Sequence, residues 1–375
     1  MAPFTPFELE RWQSTWENRV KFNISESGVH PLSVRELLEL AKASRDPLLD
    51  VRLGYSQSNG TDALRERIAA LYPGASPDQV LVTTGSAEAN FVACWRLLAP
   101  GDAVAMMLPN YMQIWGQAQN LGATVRGFHL REENGWEPDP AEIERAIAPG
   151  TKLVVVTNPH NPTGHILSAS MRDLIVNRAR AAGAWLLADE VYQGAERDGT
   201  TTPSFWGSYE KLIVVNGLSK AYGLPGLRIG WLVGPPGFAD EAWARHDYTT
   251  IGPSGTSDHL ATLALSPKVR EKIIARTRGI LNQNWPVLES WLKSLGDAFT
   301  WHAPQAGAIC FAKYRARVDG LKLVERLRAG HSVLLVPGEH FGMPGHIRFG
   351  MGNEKRELEA ALAETARGLA SAFGD

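Results

Sequence analysis

The sequence predicts an α/β protein: a large unit on a mostly parallel seven-stranded sheet flanked by helices, with a smaller α+β unit after it. Three observations predict it. Short apolar, β-branched runs alternate with helical text from residue 80 to residue 234, as expected of strands buried on both faces by the helices that connect them. After residue 235 that rhythm stops and long helical text takes over. The polar residues able to carry chemistry fall just after the predicted strands, where open α/β sheets place their ligands.

In chain order, residues 1 to 45 hold a Ser/Gly/Pro loop, "ISESGVHP", that leads into an amphipathic helix, "LSVRELLELA". "TDALRERIAALY" is a second helix, with Asp62 near its start, where a carboxylate meets unpaired N–H groups. The predicted strands are "QVLVTTG", "DAVAMMLP", "TVRGFHL", "KLVVVTNP", "AWLLADE", "KLIVVNGLS" and "RIGWLVG". The helices between them are "SAEANFVACWRLLA", "YMQIWGQAQNLG", "AEIERAIA" and "ASMRDLIVNRARAAG". Residues 255 to 295 read as long helix; "AGAICFAKY", "LKLVERLRAG", "HSVLLVP", "GHIRFGMG" and a final helix from about residue 353 form the smaller unit. The expected division is an N-terminal segment over 1–45 that packs with the small unit, a large unit over 46–250, and a helical linker with the small unit over 251–375.

Composition narrows the function. With 375 residues, 44% of them hydrophobic and 21% charged, the chain can bury a sizeable core. A net charge of -2, with no Lys/Arg block, argues against a nucleic-acid partner or an anionic membrane surface. No apolar run of about 18 residues occurs, so no membrane span is expected. The start "MAPFTPFELERW" lacks the basic region of a secretory signal, and the expected compartment is the cytoplasm. Cys94 and Cys310 read as two buried thiols, not a disulfide framework. The 10 histidines have no metal-ligand spacing, so no metal site is expected. "GLPGLRIG" departs from the dinucleotide fingerprint G-x-G-x-x-G.

The strand ends carry Gly85-Ser86-Ala87, Tyr111, "NPHNPTG" with Asn161, Asp189 with Tyr192, and Ser219-Lys220. Each has a plain reading taken alone. Gly85-Ser86-Ala87 is a helix N-cap or a phosphate seat; "NPHNPTG" is a turn; Lys220 is a solvated loop lysine. Five coincidences at matching strand ends are harder to sustain than one shared site.

The ordered set "NPHNPTG", "ADEVY" and "GLSKAYGLPGLRIGW" resembles the class I/II aminotransferases, fold-type I enzymes that use pyridoxal 5′-phosphate (PLP), and the resemblance runs from about residue 24 to the end. It implies that Lys220 forms a Schiff base with PLP and then moves the substrate proton. It implies that Arg228, Ser219 and the N–H groups of Gly85, Ser86 and Ala87 hold the phosphate. Asp189 would face the pyridine nitrogen, Asn161 and Tyr192 the phenolic oxygen, and Tyr111 the ring face. Tyr55 resembles the tyrosine that reaches a neighbour's phosphate, which implies a homodimer with shared active sites. Arg348 in "GHIRFGMG" resembles the clamp for the substrate α-carboxylate, assisted by Asn161, and Gly28 resembles a loop that closes over the substrate. The implied activity moves an amino group between an amino acid and a 2-oxo acid. "ISESGVHPLSVREL", "HDYTTIGPSG" and "LLVPGEHFGMPGHIRFG" also resemble capreomycidine synthase, a PLP cyclase of guanidino amino acids, which keeps elimination, replacement or cyclisation at Cβ open. In that case Glu26 is an acidic contact for a basic side chain or simply a loop acid. Tyr111 and Trp115 hint at an aromatic pocket wall, although Trp115 also reads as core. A third class, a non-enzymatic regulator on the same fold, would need a DNA-binding domain, for which the chain has no spare length.

Overall fold

The computed structural model describes residues 4–373. A helix over Glu8–Trp16 leads to a short strand, β1 (Phe22–Asn23), and two helices, Val34–Ala41 and Asp62–Ala69, precede the main sheet. The strands of that sheet are β2 (Val80–Thr84), β3 (Ala103–Leu108), β4 (Thr124–His129), β5 (Thr151–Thr157), β6 (Trp185–Asp189), β7 (Leu212–Gly217) and β8 (Ile229–Val233). Their spatial order is β2-β8-β7-β6-β5-β3-β4. Five strands run parallel, from β4 across to β7, while β8 is antiparallel to both β7 and β2. All seven correspond to the apolar runs read from the sequence.

Burial explains their composition. β7 and β8 are buried at every position, and "TKLVVVT" of β5 exposes only Lys152, because helices cover both faces. β4, at the edge, alternates between exposed and shielded positions. One core cluster, with Ala89, Val92, Val104, Leu187 and Val215, lies between the sheet and the helices Ser86–Leu97, Gln113–Asn120 and Phe238–His246. The other face packs Val154, Leu186, Val214 and Trp231 into a larger cluster that continues into the C-terminal part of the chain. Cys94 and Cys310 are both buried and unpaired with each other.

Beyond β8 the chain is helical over Gly255–Ala264 and Pro267–Ser294, then forms β9 (Phe299–Trp301), β10 (Ile309–Tyr314), β11 (Val333–Leu334), β12 (Val336–Pro337) and β13 (His346–Gly350), with helices Gly320–His331 and Lys355–Phe373. β12, β13, β10 and β9 make an antiparallel sheet. β1 pairs in parallel with β11, so the N-terminal segment is stitched to this second sheet by backbone hydrogen bonds. Glycines permit the close approach. A Cβ at Gly350 would stand 2.9 Å from Ile24 O, and one at Gly352 would stand 2.7 Å from Val29 Cα. The 28-residue helix ties the parts together: Thr277 donates to Ala221 O at 2.8 Å, and Asn284 donates to Met351 O at 2.8 Å. Among the described residues no helix is long and apolar enough to cross a membrane.

Candidate active site

β7 ends at Gly217, and the chain turns and returns as β8. The turn is held by the Leu218 N–H donating to Ile229 O and the Leu224 N–H donating to Leu218 O, each at 2.9 Å. Lys220 therefore leaves the carboxyl end of β7, and Arg228 enters at the amino end of β8. An antiparallel return strand is what sets both cations at one edge of the sheet. Arg228 has a φ of 51°, a left-handed conformation that costs a non-glycine residue roughly 1–2 kcal/mol; tertiary constraints hold it there.

The same edge gathers most of the residues singled out in the sequence. Ser86, Ala87, Tyr111, Asn161, Asp189, Tyr192, Ser219, Lys220 and Arg228 line one cavity of about 480 Å³. Gly85 caps the helix Ser86–Leu97 with a φ of 82°. A Cβ there would stand 3.1 Å from Arg228 Cζ and closer still to Nη2. The φ calls for a glycine, and a side chain there would also press on the guanidinium. The result is a helix N-terminus with free N–H groups, a positive dipole end and an arginine beside them, which is an anion seat.

Asp189, the last residue of β6, forms the floor. One carboxylate oxygen accepts the Val191 N–H and the other accepts the Asn90 amide, both at 3.2 Å. Burial raises its pKa, opposed by these two donors and by the charge of Lys220. Tyr192 is 2% exposed, and its hydroxyl lacks a hydrogen-bond partner among the described residues. Such a buried donor calls for an acceptor in the cavity. Arg348 lies behind the cavity wall, 1% exposed, donating to Asn161 Oδ1 at 2.9 Å and to Ser25 O at 2.6 Å. Its Nε has no partner among the described residues. Gly28 packs on the lysine: a Cβ would meet Ser219 O at 3.1 Å and Lys220 Cδ at 3.7 Å. Tyr55 lies apart, on the outer surface at 95% exposure, so it joins no site within its own chain.

Three features differ from the sequence reading. Of the two readings of Trp115, the core one holds: it packs against the core cluster of the opposite face and is not in the pocket wall. The aromatic wall is Tyr111 with Phe7 edge-on at 4.9 Å. Second, three carboxylates, Glu10, Glu17 and Glu26, line the same cavity. The Tyr111 hydroxyl donates to Glu10, and Glu26 stands 3.9 Å from Lys220 Nζ. Burial raises the Glu17 pKa, and neighbouring Glu26 and Glu10 push it further up. Glu10 and Glu17 are seven residues apart, two turns along one helical face, a spacing visible in the sequence but without a partner to give it meaning. Third, Asn90 and Gln113 stand in the wall. His160 is buried between loops, with Nε2 donating to Pro109 O and Nδ1 accepting from Thr163, both at 2.8 Å. Burial takes its pKa down to about 3, so it is a neutral brace between the strand-end loops.

The anion seat fits a phosphate, the unpartnered Tyr192 hydroxyl fits a phenolic oxygen, and the Asp189 carboxylate fits a ring nitrogen. The residues present therefore suit a phosphorylated, pyridine-bearing cofactor held beside an amine, and define a PLP-binding protein of the fold-type I class. The family model for aminotransferase class I and II matches residues 30–364, and the chain belongs to this family, with PLP as its cofactor. It is 33% identical over 372 residues to a capreomycidine synthase from Streptomyces vinaceus, covering 96% of this chain and 93% of that one. Among solved structures, a PLP-dependent aminotransferase from Streptococcus suis 89-1591 superposes with a TM-score of 0.92 at 31% identity, over 100% of this chain and 99% of the other. The PLP-dependent cyclase OrfR superposes with a TM-score of 0.90 at 28% identity, over 99% of each chain.

Proposed function

We propose that this protein is an aminotransferase that takes the α-amino group of a cationic amino acid and passes it to a 2-oxo acid. The observation that carries the reading is one cavity in which an amine, a buried carboxylate and an anion seat converge, faced by Glu10, Glu17 and Glu26. The bound cofactor supplies an electron sink for the bond broken at the substrate Cα. Lys220 would take the proton from Cα and deliver it to the cofactor's C4′ carbon, so that the amino group stays with the cofactor when the 2-oxo acid leaves. Asp189 would keep the ring nitrogen protonated, and Tyr192 and Asn161 would hold the phenolic oxygen. Arg348 grips the α-carboxylate with its planar fork, oriented by Asn161 and Ser25. Tyr111, in the cavity wall, would lie on the ring face. The N-terminal segment contributes Phe7, Glu10, Glu17 and Glu26 to the cavity wall.

The three carboxylates set the choice of side chain. Like charges sharing a cavity repel, and a guanidinium or ammonium group placed among them relieves that repulsion while forming charge-assisted hydrogen bonds worth about 1.5–3 kcal/mol each. A dicarboxylic substrate would add to the repulsion.

A second reading, cyclisation at Cβ of the same kind of substrate, is favoured by the acidic wall together with the similarity to a capreomycidine synthase and to a cyclase. Titrating the holoenzyme with arginine while following the cofactor's visible band separates the two. Bleaching that a 2-oxo acid reverses supports transamination. A lasting spectral change with release of a cyclic product, and no amino transfer, replaces it by Cβ chemistry. An absent response to arginine and lysine, with a response to aspartate, refutes the cationic side chain.

The working form is proposed to be a homodimer. Phe91, Trp95 and Tyr248 are exposed and packed edge to face at 6.0 Å, beside a separate cavity of about 380 Å³ without a titratable group in its wall. An exposed apolar patch of this kind suits a partner subunit, toward which Tyr55 would reach.

A further inference from the structure

We infer that Asn90 is a positioning residue: its side-chain amide holds the Asp189 carboxylate in place for the cofactor's ring nitrogen, and Gln113 braces that amide from the phosphate seat. The inference rests on the reading of Asp189 given above.

Asn90 is the fifth residue of the helix Ser86–Leu97 and is 2% exposed. Its helix otherwise buries Ala89, Val92, Ala93, Cys94 and Leu97. Asparagine is a poor interior helix residue, because its amide competes for nearby backbone groups. Alanine or leucine would satisfy both the helix and an apolar core. A residue that breaks its local rule inside an otherwise consistent element points to a task set by the site.

The hydrogen bonds name that task. Asn90 Nδ2 donates to Asp189 Oδ2 at 3.2 Å and to Gln113 Oε1 at 3.4 Å. Gln113 Nε2 donates to Ala87 O at 2.8 Å. A chain of amides thus runs from the anion seat, through Gln113 and Asn90, to the carboxylate on the floor. With the Val191 N–H on its other oxygen, Asp189 carries one donor on each oxygen, so its plane is fixed. Asn90 Oδ1 is shielded from solvent and lacks a partner among the described residues. Here the donor end alone is used, and it is aimed at the carboxylate. The other charged groups that act on Asp189 are Lys220, across the cavity, and Glu190, the next residue. Glu190 turns the other way and accepts the Phe205 N–H at 2.7 Å.

The test uses the holoenzyme with Asn90→Leu, Asn90→Ala and Gln113→Leu, and Asp189→Ala as a control. The readouts are the pH midpoint of the cofactor's visible band, kcat, KM and the thermal midpoint. A loosened carboxylate holds the ring nitrogen's proton less firmly. The ring nitrogen's positive charge would lower the pKa of the lysine-linked nitrogen, so as that charge weakens the midpoint should rise. Both Asn90 variants should raise it by about one unit and lower kcat on the order of 10-fold, with KM little changed. Gln113→Leu should move it less, in the same direction. A lowered thermal midpoint with an unchanged pH midpoint and kcat would show a structural role only and overturn the inference. If Asn90→Leu fails to fold, Asn90→Ala decides, since alanine favours the helix. If Asp189→Ala itself leaves the pH midpoint unmoved, the reading of Asp189 falls. If it moves and neither Asn90 variant does, the inference alone falls.

Discussion

Gly85→Ala adds a single methyl group, and the structure fixes what that group meets. At a φ of 82° an alanine is strained, by roughly 1–2 kcal/mol. Its Cβ would also stand 3.1 Å from Arg228 Cζ, inside contact distance of Nη2. Arg228 is tethered where it stands by its Nη1, which donates to Pro225 O at 3.2 Å, and the flexible end of the side chain gives way before the backbone does. The guanidinium must shift out of the anion seat. A charge-assisted hydrogen bond is worth about 1.5–3 kcal/mol, so the loss of one predicts PLP binding weakened roughly 10- to 100-fold. Equilibrium dialysis against graded PLP, read by the visible band of retained cofactor, measures this directly. The thermal midpoint of the apoprotein should fall by only a few degrees, since the strain alone is small against a fold of this size. Wild-type PLP affinity in Gly85→Ala would refute the assignment of this helix start and Arg228 as the phosphate seat. Equal loss of stability and affinity, with Arg228→Ala binding PLP normally, would refute the role of the arginine.

Three further outcomes follow from the same geometry. Arg348→Met keeps the buried volume but leaves Asn161 Oδ1 and Ser25 O without their donor; KM for the amino acid should rise on the order of 100-fold while PLP affinity stays within a few-fold, checked by steady-state kinetics beside cofactor titration. Glu17→Gln combined with Glu26→Gln should raise KM for arginine about 10-fold or more and leave a neutral donor such as norvaline nearly unaffected, so an equal change for both would count against a cationic subsite. Glu88, in the first turn of the phosphate helix, pairs with buried His246 at 3.1 Å. Burial would raise its pKa, yet donors from His246, Thr249 and the Thr84 N–H take it from 4.5 down to about 2. A depressed carboxylate stabilises the fold above its unfolded value and loses that contribution as pH falls through the folded one. The stability gap between wild type and Glu88→Gln, on the order of 3 kcal/mol, should therefore be full above pH 4.5 and shrink toward pH 2; urea midpoints measured across that range check it.

The large sheet was legible because its strands are buried on both faces, which forces continuous β-branched runs such as "KLVVVT" and "KLIVVN" that hardly any other element would hold. The residues at the strand ends were legible for a related reason. Polar and Gly/Pro text directly after such a run has few structural uses, so Asp189, Lys220 and the "NPHNPTG" loop stood out. The antiparallel direction of β8 left no mark in composition, and the meaning of Arg228 came only with it. Trp115 shows the opposite limit: Tyr111 precedes the helix Gln113–Asn120, left-handed Met112 turns the chain between them, and the indole packs against the core cluster, so proximity in sequence did not carry over to the pocket. The acidic wall was out of reach for a further reason. Glu10 and Glu17 sit on and just after a helix that looks like any solvated amphipathic segment, and distant partners place it over the cavity: β1 pairs with β11, and Trp12 Nε1 donates to Leu335 O at 2.8 Å. Asn90 is intermediate. Its place on a buried helical face breaks a local preference and can be suspected from periodicity, but its partner is 99 residues away at the end of β6. Elements that bury their own surface thus declare themselves locally. The parts of a site assembled by distant segments are specified by the fold's connections, and those are where the substrate's side chain, as distinct from the cofactor's chemistry, is chosen.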